Sequence, residues 1–99
     1  MPKQIVEGET VDVGLYFTNK YDNDISVTLI SAEGEGLEAD YSKEEVIVKK
    51  NTMEVKHIQV TGLTVGENAS LTMKVHVQEK AGDGGIQEYS ITSSTVVIF

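Results

Sequence analysis

From Thr10 to Asn19 the chain alternates without a break. Val11, Val13, Leu15 and Phe17 fall on one side, and Asp12, Gly14, Tyr16 and Thr18 on the other. Successive side chains point to opposite faces of a β-strand, whereas a helix repeats every 3.6 residues, so this run fits a half-buried strand and no amphipathic helix. The same period returns at Ala69, Leu71, Met73, Val75 and Val77. Two long strands that each need an apolar layer against one face call for a sandwich or a barrel.

The remaining segments follow the same rhythm. A short Ile5-Val6 strand runs into a Glu7-Gly8-Glu9 turn, and Asn19-Lys20-Tyr21-Asp22-Asn23-Asp24 is turn chemistry, because Asn and Asp tolerate left-handed backbone and bond to it. Ile25, Val27 and Leu29 share one face of the next strand, which Glu33-Gly34-Glu35-Gly36 is expected to end. Leu37, Ala39 and Tyr41 suggest a further short strand, then Lys43-Glu44-Glu45 links to Val46-Ile47-Val48 and the turn Lys49-Lys50-Asn51-Thr52. Between Met53 and Thr61 the phase is less clean: Val55 cannot share a face with Ile58 and Val60 under strict alternation, which predicts a bulge near Lys56-His57. Gly82-Asp83-Gly84-Gly85 is expected to close a hairpin into a last strand from Ile86 to Phe99, paired with the strand around Leu71 to Val77.

Seven or eight strands in 99 residues, with no helical period longer than a turn, predict an all-β fold: an immunoglobulin-like antiparallel β-sandwich, with a closed barrel as the alternative. Val13, Leu15, Phe17, Val27, Leu29, Leu71, Met73 and Val75 are the expected core. Cysteine and tryptophan are both absent, which excludes the antibody Cys–Trp–Cys pattern, disulfides, thiolate zinc sites and a cysteine nucleophile. One domain over residues 1–99 is expected. The apolar run Thr95-Val96-Val97-Ile98-Phe99 suggests that it is excised from a longer protein with neighbouring domains.

Charge restricts the partners. Sixteen acidic residues against eight lysines give a net charge of −8, and there is no arginine. Such a surface is repelled by DNA, RNA and anionic lipid, and it lacks the residue that forks onto phosphates and guanine edges. Nucleic acid is therefore not an expected partner. No apolar run approaches the ~20 residues of a membrane helix, so direct membrane insertion is not expected either.

Residues able to carry chemistry are few. His57 and His76 on successive strands could face one another across a strand pair, but a third metal ligand is not evident, and outward-facing surface histidines are the expectation. No Gly-x-Ser-x-Gly occurs, and Gly82-Asp83-Gly84-Gly85 lacks the Lys-Ser or Lys-Thr of a phosphate loop. The chain therefore reads as no enzyme, without catalytic residues or a cofactor. Asp22, Asn23 and Asp24 place oxygen ligands in one loop that Asp83 could approach, making these four the calcium candidates, although turn formation explains the loop equally. Among Tyr16, Tyr21, Tyr41 and Tyr89, Tyr16 is expected to face outward, as a cross-strand packing partner or as a sugar platform. Asn68-Ala69-Ser70 fits the glycosylation acceptor pattern, a match that a chain with this much serine and threonine produces by chance.

Glu7-Gly8-Glu9-Thr10 leading into Val11 through Asn19 resembles the opening of a group of immunoglobulin-like modules in which a Gly-Glu turn precedes an alternating strand that ends at an asparagine. The stretch from Val46 to Thr52, then Ile58-Gln59-Val60, Gly66-Glu67 and a long alternating strand, is similar to the second half of those modules. The group includes CARDB-type adhesion-related domains, NEW3-type domains appended to secreted glycosidases, and surface-layer repeats. Gly14 to Lys20 and the last hairpin also look like the lumenal domain of the translocon-associated protein alpha subunit. The resemblance implies a non-catalytic structural or adhesive module of a cell-surface or secreted protein. The alternatives are a protein- or carbohydrate-binding module appended to a secreted enzyme, or a lumenal domain of the translocon-associated kind. An extracellular or cell-surface place is the expectation, with a cytoplasmic one left open.

Overall fold

The computed structural model describes residues 1–80 and 85–99. Eight strands run in chain order: β1 (Gln4–Val6), β2 (Thr10–Thr18), β3 (Ile25–Glu35), β4 (Leu37–Asp40), β5 (Val46–Val48), β6 (Met53–Gly62), β7 (Gly66–Glu79) and β8 (Gln87–Ile98). They form two sheets, β1-β8-β7-β3-β5 and β2-β6-β4, so the chain is an immunoglobulin-like sandwich and not a closed barrel. The pairs β2–β6 and β3–β7–β8 correspond to the B–E and C–F–G pairs of the immunoglobulin arrangement. Among the described residues every pairing between strands is antiparallel except β1 with β8. At about 3.3 Å per residue the 14 residues of β7 account for most of the 49 Å long axis.

Local chemistry places the crossings between sheets. After β1 the chain turns over Val6–Glu9, where the Glu9 amide donates to the Val6 carbonyl at 2.9 Å and Gly8 takes a φ of 82°. Only glycine adopts that backbone without strain. The turn also stitches β1 to the end of β6, Gly8 donating to the Gly62 carbonyl and Gly62 to that of Glu9. Among the described residues Asn51 is the one left-handed residue that is not a glycine, at φ 60°, in the turn over Lys49–Thr52.

Between the sheets lie Ile5, Val13, Leu15, Ile25, Val27, Leu29, Leu37, Val48, Ile58, Val60, Ala69, Leu71, Met73, Val75 and Val97. Seven of the eight residues expected in the core are there; Phe17 is the exception, half-buried at the rim where β2 leaves the cover of the five-stranded sheet. Two further expectations are corrected. No bulge interrupts β6: its register with β2 is continuous from Thr10 opposite Thr61 to Thr18 opposite Met53. The phase resolves with Val55 outward and Lys56 inward, its stem buried and its ammonium at the solvent margin, since no buried side-chain nitrogen lacks a partner among the described residues.

The second correction concerns β3, which does not stop at Glu33 but runs to Glu35, with Gly36 as the crossing point into β4. A register shift against β7 between Leu29 and Ser31 makes this possible. Ile30 is the extra residue. It moves the inward phase from Ile25, Val27 and Leu29 to Ala32 and Gly34, opposite Met73 and Leu71. The expected hairpin residues 82–84 lie outside the described residues; the pairing that they join, β7 with β8, runs from Val77 opposite Gln87 to Gly66 opposite Val97.

Candidate functional site

Asn19 organises the loop end of the sandwich. Its side chain is 1% exposed. Its Nδ2 donates to the carbonyls of Asn23 (2.8 Å) and Val48 (2.9 Å), while its Oδ1 accepts from the Tyr21 amide at 2.8 Å. The backbone amide of Asn19 donates to the Thr52 carbonyl at 3.0 Å. One residue thus ties the β2–β3 loop to β5 and to the start of β6.

The calcium candidates sit in that loop. Asp24 turns its Oδ1 to the Lys50 amide at 2.9 Å, and its carbonyl accepts from the Lys80 amide at 2.8 Å. The Asn23 carbonyl is held by Asn19, and Asp22 is exposed. The Asp24 carboxylate and the Asn23 and Asp24 carbonyls are therefore directed at backbone N–H groups and the Asn19 amide. Asp83 lies outside the described residues. Among the described residues no three His, Asp or Glu side chains gather as a metal would require.

The two histidines do not meet. β6 and β7 belong to different sheets, and His57 and His76 each point away from the core, so they occupy opposite outer faces. His57 Nδ1 lies 2.8 Å from Asp12 Oδ2, and Gln59 donates to the other carboxylate oxygen of Asp12 at 2.8 Å. His76 Nε2 lies 3.2 Å from Glu88 Oε1 across β7 and β8. These are cross-strand pairs on exposed surface. No hydroxyl is hydrogen-bonded to either imidazole among the described residues.

Tyr16 faces outward as expected, at 68% exposure. Its ring lies along Gly14, and the two are flanked by Val55, the register partner of Tyr16. The bare glycine lets the ring lie flat against the strand, a known cover for a glycine in a sheet. Thr10, Asp12, His57, Gln59 and Thr61 continue that face as a polar strip, with a 2.7 Å contact between the hydroxyls of Thr10 and Thr61. An apolar ring beside aligned hydrogen-bonding groups is a surface able to hold a sugar or a peptide.

A second feature lies between the sheets, where β2 and β8 run at the same flank. Tyr16, Phe17, Tyr21, Ile25, Val77 and Tyr89 line an open groove of about 300 Å³. The Tyr21 and Tyr89 hydroxyls are 3.1 Å apart. That hydrogen bond, more than burial or the nearby Glu79 charge, pushes the Tyr21 phenol above its ordinary range. Sequence reasoning missed this groove. The readable signal was the alternation Tyr89, Ile91, Thr95 and Val97, which puts Tyr89 and Ile91 on the core-facing side of β8 although neither is covered. Elsewhere, Glu45 pairs with Lys80 at 3.3 Å; the Ser26 hydroxyl first, and Lys80 second, hold its carboxyl below the usual carboxylate range.

No helix among the described residues is long and apolar enough to cross a membrane. The chain matches no family model and no curated protein sequence.

Proposed function

We propose that this domain is a non-catalytic structural or adhesive module of the immunoglobulin-like kind, one unit of a larger cell-surface or secreted protein. The observation that carries the reading is how the polar side chains are used. Asn19, Asp24, Asp12, His57, Gln59, His76 and Glu88 are engaged in pinning strands and loops to one another. Groups spent on holding a sandwich together suit a module whose work is mechanical or adhesive. The likeness of its turns and strand rhythm to CARDB-type, NEW3-type and surface-repeat modules supports the same reading. The test is topological: intact cells carrying the native gene are treated with a membrane-impermeant amine reagent, and the lysines of this domain are scored by mass spectrometry. Labelling before lysis supports a surface place. Labelling only after lysis refutes it.

Tyr16 favours a second reading, a module that binds a glycan. An exposed ring over Gly14, beside Asp12, His57 and Gln59, offers stacking and hydrogen bonding on one face. A glycan array probed with the purified domain and with Tyr16→Ala separates the two readings. Binding that the substitution abolishes, with the melting curve unchanged, selects the glycan; a blank array leaves the structural module.

A further inference from the structure

Sandwiches have edges, and most of the edges here are kept short. β4 has four residues and β5 has three, followed directly by Lys49 and Lys50. β8 is different. It has 12 residues, and β1 covers it only from Val96 to Ile98. Among the described residues nothing pairs with Gln87–Ser93 on the side away from β7.

The direction of the open groups follows from the covered part. The Val96 amide donates to the Lys3 carbonyl, and the Ile98 carbonyl accepts from the Glu7 amide, so even-numbered residues of β8 send their peptide groups away from β7. Peptide groups alternate along a strand. Glu88, Ser90 and Thr92 therefore present three N–H and three C=O groups in a row at an open edge.

Natural sheets blunt such an edge with lysine, proline, a bulge or an inward-pointing charge. β8 has no lysine and no proline. Its one register irregularity with β7 falls at Gly66/Ala69, at the far end of the strand. In place of an inward charge it has Tyr89 and Ile91, core-facing but 48% and 43% exposed. The tyrosine-lined groove opens beside them, with Phe17 on its far wall. A row of free backbone groups with a half-filled apolar groove alongside is the form of a strand-addition site.

Charge selects the occupant. Gln87–Ser93 carries Glu88 and no cation, Glu79 borders the groove through Tyr21, and Glu54 is the register partner of Phe17. His76 and Lys74 lie on the outer face, where His76 is already held by Glu88. A second copy would bring a charge of −8 against −8 and a second Glu88 to the same edge. We infer that the open edge of β8 receives an extended segment of a protein partner, apolar at alternate positions to cover Tyr89 and Ile91 and bearing lysine or arginine on its other face. The inference rests on the edge and not on the cellular place of the module.

The probe is a blocked nonapeptide of alternating lysine and valine. Two controls accompany it, a peptide of the same composition in two blocks and one with glutamate in place of lysine. Binding is followed by amide NMR and hydrogen exchange on the intact chain. Saturable binding of the alternating cationic peptide alone is expected, with slowed exchange at Glu88, Ser90 and Thr92. Ser90→Pro removes one outward N–H at a position where an edge strand tolerates proline, and it should weaken binding about tenfold, the worth of one ladder bond. Ile91→Lys places an inward charge on the edge without touching the backbone, and it should weaken binding at least as much. The inference is overturned if no peptide binds, if the block or acidic peptide binds equally well, if protection falls elsewhere, or if both variants keep their affinity. It is also overturned if the free protein self-associates through β8, which would make a second copy the occupant.

Discussion

Replacing Asn19 with alanine tests whether the loop end is held by one side chain. The substitution deletes two donations, to the Asn23 and Val48 carbonyls, and one acceptance, from the Tyr21 amide. A net worth of about 1 kcal/mol for each bond gives about 3 kcal/mol. The bond to Val48 is buried, so its orphaned carbonyl adds to the cost, whereas water can reach the part-buried Asn23 and Tyr21 groups and recover some of it. The expected loss is therefore about 2–4 kcal/mol, a large share of the roughly 5–15 kcal/mol of a typical domain. In a chain of this size that lowers the melting temperature by about 10–25 °C. Urea unfolding followed by circular dichroism measures it directly. Asn19→Asp sharpens the test, because it keeps the acceptor for Tyr21 but aims a carboxylate at two carbonyl oxygens. It should be at least as damaging as alanine at neutral pH. Its folded-state pKa would be raised above the ordinary aspartate value of about 4, so relative stability should return as pH falls from that raised value to about 4, where the carboxyl is a donor again. An alanine variant within about 1 kcal/mol of the parent would refute the reasoning, since one bond alone is worth that much.

Other outcomes follow from the same packing. Leu29→Ala, at a fully buried position, should cost about 3–5 kcal/mol, and Phe17→Ala, at the half-buried rim, only about 2; equal losses in parallel urea titrations would put Phe17 in the core after all. Gly34→Ala sets a methyl group against the Leu37 carbonyl at the crossing into β4, and it should destabilise by about 2–3 kcal/mol, whereas an unchanged melt would mean that the crossing yields. Millimolar calcium should leave the melting curve in place, because Asp24 is turned to the Lys50 amide; a site saturated a hundredfold would add about 2.7 kcal/mol, and a rise abolished by Asp22→Ala would overturn this. The phenol of Tyr21 binds its proton more tightly folded than unfolded, so its contribution is complete below the ordinary tyrosine value of about 10 and is lost as pH rises through the folded value. Tyr89→Phe should reduce that alkaline loss, which ultraviolet titration of tyrosinate alongside melting would detect.

Much of the fold is legible in the sequence because alternation is a property of single strands. Thr10–Thr18 and Ala69–Val77 need no partner to declare which residues face inward, and the turns at Gly8 and Asn51 declare themselves by residue type. Register is not local in that way. The bulge at Ile30 belongs to the pairing of β3 with β7, and nothing in Leu29-Ile30-Ser31 signals it. Phe17 matches its neighbours in phase, yet its burial depends on how far the opposite sheet extends above it. The groove was hidden for the same reason: Tyr21 is in a loop, Tyr89 is 68 residues away, and only the stacking of the two sheets brings their hydroxyls together.

The reading of β6 shows how a rule that is right within one strand misleads when the facing strand is ignored. Val55, Ile58 and Val60 demand a bulge only if every apolar residue must enter the core. The uninterrupted ladder with β2 places Val55 opposite Tyr16 on the outer face, beside Gly14. A glycine there leaves backbone bare to water, and an outward valine and tyrosine cover it, so the apolar character of Val55 is explained by its neighbours across the ladder and not by the core. Lys56 then takes the inward slot opposite Leu15, which a lysine can occupy by burying its stem and keeping its ammonium at the margin. Ordinary pairing rules thus account for an apolar outer patch without assigning it a ligand. A binding role for Tyr16 therefore has to be shown by a sugar or peptide that the bare domain captures, since exposure alone follows from the need to cover Gly14.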